Sequence, residues 1–221
     1  MSRADLMLDI ETAGLQPGAA ILSIGLALLV NGRYDKQGDL YLELSIEDSK
    51  RYNFVADINT VSWWLRQTEP MPLSGTLRVI EALKMLADVI RRLRDQHSDL
   101  RFWSNGAMDY QVLGAAFDRL CLPRPWNHRE LRDLRTIQEM TGTKDEVLSI
   151  RPHHAQHDAV TQAKRLEQCL ARTVRLPVEF PVMSTDSCDS LNTLRGFLAQ
   201  IVADLDTELY TRATTMQKSL F

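Results

Sequence analysis

An apolar run over Ile21–Val30 closes on Asn31-Gly32, and this pairing of strand and turn restricts the fold more than any other stretch. Asn-Gly readily takes the left-handed backbone that a two-residue hairpin needs, so the chain is expected to double back at once. Ahead of it, Leu6, Met7, Leu8 and Ile10 form a shorter apolar run that ends in Thr-Ala-Gly, a turn signal. Behind it, Leu40, Leu42 and Leu44 alternate with Tyr41 and Glu43, the pattern of a half-buried third strand. Three consecutive strands with short links predict an antiparallel meander.

Helical spacing follows. Leu77, Ile80, Leu83, Ala87, Ile90 and Leu93 recur at three- and four-residue steps and predict a long amphipathic helix. A brief strand over residues 100–103 precedes Ser104-Asn105-Gly106 and a helical stretch over residues 109–120, after which Pro123 and Pro125 break the chain. A further helix over residues 155–171 carries Val160, Ala163, Leu166 and Leu170 on one face. The sum is an α/β domain: a mixed sheet with its first three strands antiparallel, flanked by helices. After Leu176 the texture changes, with Pro177, Pro181 and residues 184–190 reading as a linker. Leu191, Leu194, Phe197, Leu198, Ile201, Leu205 and Leu209 then make an apolar stripe at helical spacing. The expected organisation is one domain over residues 1–175 and a linker with a C-terminal helical extension over residues 176–221. The stripe needs cover from the domain or from a second subunit, which makes a homodimer one expectation.

Composition excludes several classes. The 221 residues are 44% hydrophobic and 25% charged, ordinary for a soluble protein. A net charge of −3 supplies no large basic field. That counts against a passive nucleic-acid binder, which must neutralise phosphates, but little against an enzyme whose own carboxylates recruit cations. Cys121, Cys169 and Cys188 form no CxxC pair, so neither a disulfide framework nor a zinc site follows and a reducing cytosol is expected. The most apolar run, residues 19–30, is too short to cross a bilayer and lacks signal-peptide flanks. A cytoplasmic protein with no membrane partner is the expectation.

The residues that carry chemistry lie in three separated places. Asp9-Ile10-Glu11-Thr12 ends the first strand, where alternation puts both acids on one face. Two carboxylates about 7 Å apart along a strand repel each other in a low-dielectric setting unless a cation sits between them. Taken alone, they also suit a strand running out into solvent. Asp109 opens the middle helix after Ser104-Asn105-Gly106-Ala107-Met108, where capping the helix would be its ordinary duty. His153-His154-Ala155-Gln156-His157-Asp158 stands at the start of the late helix. A zinc site made of these neighbours alone lacks a supporting cysteine or distant histidine. His153 in the preceding loop and Asp158 in the first turns can instead be aimed into one cleft.

In order and spacing these three motifs resemble those of the DEDDh family of 3′–5′ exonucleases, which have a ribonuclease H-like fold. The likeness spans residues 4–170. Asp9-Ile10-Glu11-Thr12 stands for Asp-x-Glu-Thr, residues 104–109 for His-Asn-Ala-x-Phe-Asp, and His153-x4-Asp158 for His-x4-Asp. Ser104 replaces a histidine, Gly106 an alanine and Met108 a bulky aromatic, and none of these changes removes a carboxylate. Val61-Ser62-Trp63-Trp64-Leu65 and Arg132-Asp133-Leu134-Arg135-Thr136 are similar to the bacterial and phage branch that includes exoribonucleases.

The resemblance implies a two-metal-ion exonuclease that releases nucleoside monophosphates from the 3′ end of single-stranded RNA or DNA. Two divalent cations can activate a nucleophile, neutralise the phosphoryl oxygens and assist the leaving oxygen. Mg²⁺ suits an oxygen ligand set, and Mn²⁺ fits the same donors. By resemblance Asp9 bridges two ions, Glu11 and Asp158 each support one, and Asp109 acts partly through water. His153 is then the general base, a duty for which histidine is the usual choice because a free imidazole exchanges its proton at about pH 6.5. His154 and His157 are expected at the surface or behind the ligands.

Thr12, Gly14, Asn105 and Trp64 are the expected substrate contacts. Trp63 and Trp64 offer faces for stacking, although adjacent tryptophans on a helix bury easily and at least one is expected in the core. The arginines 91, 92 and 94, and 129, 132 and 135, suit either phosphate tracking or a solvated face. Two other readings remain. A metal-dependent phosphoesterase acting on small substrates would use similar carboxylates without needing the His-x4-Asp placement. A catalytically idle nucleic-acid-binding module of the same fold would have no physical reason to crowd four acids.

Overall fold

The computed structural model describes residues 2–144 and 146–173. The expected linker and helical extension over residues 176–221, with the apolar stripe behind the homodimer expectation, lie outside the described residues. In chain order the elements are β1 (Arg3–Thr12), β2 (Ile21–Val30), β3 (Arg33–Glu43), α1 (Ile46–Arg51), α2 (Ile58–Trp64) and α3 (Val79–Gln96). They continue with β4 (Asp99–Ser104), α4 (Met108–Arg119), a 3-10 turn at His128–Glu130, β5 (Leu131–Asp133), α5 (Leu134–Thr141) and α6 (Ala155–Thr173).

The strands form a sheet in the order β3-β2-β1-β4-β5. The first three are antiparallel, whereas β4 runs parallel to β1 and β5 parallel to β4. The turn at Asn31 and Gly32 has φ of 51° and 77°, the two left-handed residues that such a hairpin requires. β3 starts directly after it, at Arg33, so the strand is longer than the alternation at Leu40 and Leu42 signals. Its first half is charged and largely open to solvent, which leaves no period-two pattern to read.

Alternation along β1 splits the core in two. Leu6, Leu8 and Ile10 face the larger cluster, which α3 and α4 cover with Leu83, Leu86, Ile90, Val112 and Phe117. Met7 faces the other side with Trp103, Leu134, Ala159, Ala163 and Leu166. Asp9 and Glu11 continue the Met7 side, so the acids of β1 look toward α6.

α6 lies close against that face because its inner residues are small. Ala155, Ala159 and Ala163 are all fully buried at helical spacing. Under the helix start lies Gly25, the β2 partner of Asp9. A Cβ on Gly25 would sit 2.2 Å from the Ala155 backbone, so glycine is what lets the two backbones meet. This approach brings the loop before α6, and Asp158 in the first turn of the helix, to the cleft that Asp9 lines. Among the described residues no helix is long and apolar enough to cross a membrane.

Candidate active site

Asp9, Glu11, Asp109, His153 and Asp158 all line one cleft of about 560 Å³ at the C-terminal end of β1. Each arrives by a different route. Asp9 and Glu11 project from the same face of β1. Asp109 comes from the first turn of α4, which β4 delivers beside β1. Asp158 stands in the first turn of α6, and His153 in the loop ahead of it.

The capping role open to Asp109 in the sequence is not the one it takes. α4 is capped at Ala107 with no side-chain hydrogen bond. Asp109 instead accepts a hydrogen bond from the Ile10 backbone N–H at 3.2 Å, which ties the second motif to the first.

His153 is held in a left-handed conformation, φ 66°, an uncommon backbone for a residue with a Cβ. Its N–H donates to Asp158 Oδ2 at 2.7 Å, so the residues that open and close the third motif lock each other. The imidazole packs edge-on against Trp63, with ring centres 4.7 Å apart. Arg151 pairs with Glu69 at 2.9 Å and fastens the same loop from outside. Glu11, His153 and Asp158 each offer one donor atom, all within 4.8 Å of one another, an arrangement able to hold a metal ion.

Electrostatics agree with that geometry. Burial, then the charges of Asp109 and Glu11, push the Asp9 carboxyl well above the usual carboxylate range, against a lowering hydrogen bond from Gln162. Burial, then Asp158 and Asp109, push Glu11 up to about 8. Burial pushes Asp109 up to about 6, while the Ile10 N–H and Arg135 pull it down. Without a cation the cluster stores repulsion, and a bound cation would release it. The donors are carboxylate oxygens and one imidazole, a set that fits a hard divalent cation.

The expected substrate contacts divide. Asn105 lines the cleft, where its Oδ1 accepts from Arg135 Nε at 3.2 Å. Thr12 and Trp64 line an adjoining pocket of about 500 Å³ that shares Ile10, Glu11 and Met108 with the cleft. The Thr12 hydroxyl donates to Gly14 O at 2.7 Å, and the Trp64 indole N–H donates to Thr12 O at 3.0 Å. Trp64 is 3% exposed, so it braces the Thr12 turn and offers little face for stacking; Trp63 is the more open of the pair. Gly14 packs behind the turn against Ala19 and Asp57 and lines neither pocket.

His154 stacks on Tyr41 at 4.5 Å and meets His157 edge-on, away from the acids. Arg91 and Arg94 pair with Asp88 and Glu130, so that cluster is largely neutralised. Sequence reasoning missed Gln162, whose Nε2 donates to Asp9 Oδ1 at 2.7 Å, and Arg165, which also lines the cleft. Both follow Asp158 at one- and two-turn spacing, so helical periodicity was the available signal.

A family model described as the 3′–5′ exoribonuclease Rv2179c-like domain matches residues 4–170. The chain belongs to this family. No curated protein matches the sequence. Among solved structures, this Rv2179c-like domain is similar to the nuclease domain of 3′hExo, a DEDDh family member bound to rAMP. Identity is 13% and the TM-score 0.52, covering 76% of this chain and 92% of that one. It is also similar to Escherichia coli exonuclease I in complex with a dT13 oligonucleotide, at 13% identity and a TM-score of 0.53. That likeness covers 79% of this chain but 41% of exonuclease I, so the chain spans less than half of that enzyme. At such identities the likeness is one of fold: the ribonuclease H-like mixed sheet of DEDDh exonucleases.

Proposed function

We propose that this protein is a 3′–5′ exonuclease that hydrolyses the terminal phosphodiester of single-stranded RNA, and of DNA with less preference, releasing nucleoside monophosphates. The convergence of Asp9, Glu11, Asp109, Asp158 and His153 on one cleft carries the reading. The exoribonuclease description of its family favours RNA. Asp9, Glu11, Asp109 and Asp158 are the residues that would hold Mg²⁺, with two ions as the expected complement and Mn²⁺ as a substitute. Bound there, divalent cations supply Lewis acidity at the scissile phosphate.

The chain's own groups do the rest. His153, gripped by Trp63 and by its bond to Asp158, takes the proton of the attacking water at its free ring nitrogen. The water oxygen bonds to phosphorus, the bond to the 3′ oxygen of the preceding nucleotide breaks, and that oxygen takes a proton from solvent. Gln162 holds Asp9 in one rotamer throughout. The pocket of Thr12, Leu15, Trp63 and Met108 receives the terminal nucleoside. The two cysteines among the described residues, exposed Cys121 and buried Cys169, are free thiols, in keeping with a cytoplasmic setting.

Parallel incubation with a single-stranded oligonucleotide and a chromogenic phosphate monoester tests the assignment. Mononucleotide release from the first and inertness toward the second are expected. Turnover of the monoester alone would make the protein a small-molecule phosphoesterase, and no turnover of either would leave an idle module.

A further inference from the structure

Behind the loop of residues 105–107, on the side away from the acids, lies a second hollow of about 410 Å³. Tyr110 and Trp126 line it together with Arg124, Arg132 and Asp133. Cleft and hollow share a wall: Asn105 faces the cleft, while Gly106 and Ala107 face the hollow. Over that wall lies Arg135, which lines the cleft, bonds Asn105 and packs within 3.7 Å of where a Cβ on Gly106 would stand.

Charge is distributed unevenly here. Most arginines elsewhere are matched to carboxylates, as in Arg3 with Asp5, Arg78 with Glu81 and Arg151 with Glu69. Arg129, Arg132 and Arg135 are exposed and make no ion pair among the described residues. Of the nearby acids two are paired with other arginines, and Asp133, at the hollow itself, caps α5. Asp133 accepts from Thr136 N at 2.8 Å, Asp118 pairs with Arg124, and Glu130 with Arg94. Arg132 is held in place by bonds from its Nη1 to the carbonyls of Arg129 and Leu131, at 2.7 and 2.8 Å. The Tyr110 hydroxyl is buried at the hollow beside Ser104, whose own hydroxyl donates to Gly106 O.

We propose that this hollow is a second nucleotide subsite, which takes a unit of the strand upstream of the bond being cut. Arg135 spans the wall and meets the first upstream phosphodiester, Arg132 meets the next, and the rings of Tyr110 and Trp126 floor the space for a sugar or base. The inference rests on the exonuclease reading and adds a path for the strand. It also gives a chain of net charge −3 a local grip on a polyanion: three arginines outside any ion pair stand close together beside the acidic cleft.

The test uses the full chain with His153→Ala to slow turnover, in Mg²⁺, and anisotropy of labelled single-stranded RNA of two and eight nucleotides. The eight-mer is expected to bind more tightly than the two-mer. Adding Arg132→Ala should weaken the eight-mer about three- to tenfold, leave the two-mer unchanged and lower the salt slope by about 0.7. Arg132→Lys should restore most of the affinity, and Arg33→Ala, in the hairpin at the opposite edge of the sheet, should change nothing. Equal loss on both lengths, or no loss on the eight-mer, overturns the subsite. Failure of the parent protein to cleave either RNA would sink the exonuclease reading while length-dependent binding through Arg132 still stood. Cleavage indifferent to Arg132 and to length would do the reverse.

Discussion

Glu11→Gln is expected to stabilise the metal-free protein near neutral pH, although it removes one of the carboxylates proposed to hold the metal. Glu11 is 8% exposed, and burial with Asp158 and Asp109 beside it moves its carboxyl from an ordinary 4.5 to about 8. The folded protein therefore keeps a proton that the unfolded chain releases near 4.5. Stability is fully present below that value and falls as the pH climbs toward 8. At about 1.4 kcal/mol per pKa unit, the loss between pH 5 and pH 7 comes to about 2–3 kcal/mol from this one group. Glutamine keeps the shape and has no charge to acquire. Urea unfolding in chelator at both pH values reads the effect: the wild type should lose about 2–3 kcal/mol more than the variant over that interval. Saturating Mg²⁺ should recover the loss in the wild type and far less of it in the variant. Parallel behaviour of the two proteins would refute the claim that these carboxylates are crowded in the absence of a cation.

Other perturbations follow from the same geometry. Asp9→Asn should abolish metal binding by calorimetry and nearly all nuclease activity, with an unchanged circular dichroism spectrum; retained Mg²⁺ affinity would contradict the ligand assignment. His153→Ala should lower turnover by about two to four powers of ten with metal affinity largely kept. Wild-type turnover would remove its role as base, and a parallel loss of metal affinity would make it a ligand. Gly25→Ala drives a methyl into the Ala155 backbone and should cost about 3 kcal/mol or more in urea unfolding, with activity falling as α6 is displaced. An unperturbed variant would mean that α6 has room to retreat without moving Asp158.

Much of this arrangement is legible in the sequence, for identifiable reasons. The β1–β2–β3 meander announces itself through Asn31-Gly32, because few other dipeptides accept two left-handed residues in a row. α3 and α6 are long enough for a periodic apolar face to emerge. α2, α5 and β5 are short and held by tertiary contacts, such as the Asp57 N–H on Ala13 O at 2.7 Å that ties the start of α2 to the turn after β1. Local pattern does not encode such contacts. The four acids and His153 stand out through their likeness to the three DEDDh motifs, since read singly each also suits a solvated strand end or a helix cap. Gln162 does not, since a polar residue on a helix reads as surface until the sheet brings Asp9 beside it. Gly25 carries a weak signal of its own: a glycine inside an apolar strand marks a close approach of another backbone.

A 5′-labelled single-stranded RNA incubated with the protein, in Mg²⁺ and in chelator, addresses the central claim most directly. The clustered acids predict a ladder of products shortened one nucleotide at a time from the 3′ end in Mg²⁺, and intact RNA in chelator. A fixed internal cut, or a ladder that survives chelation, would contradict it.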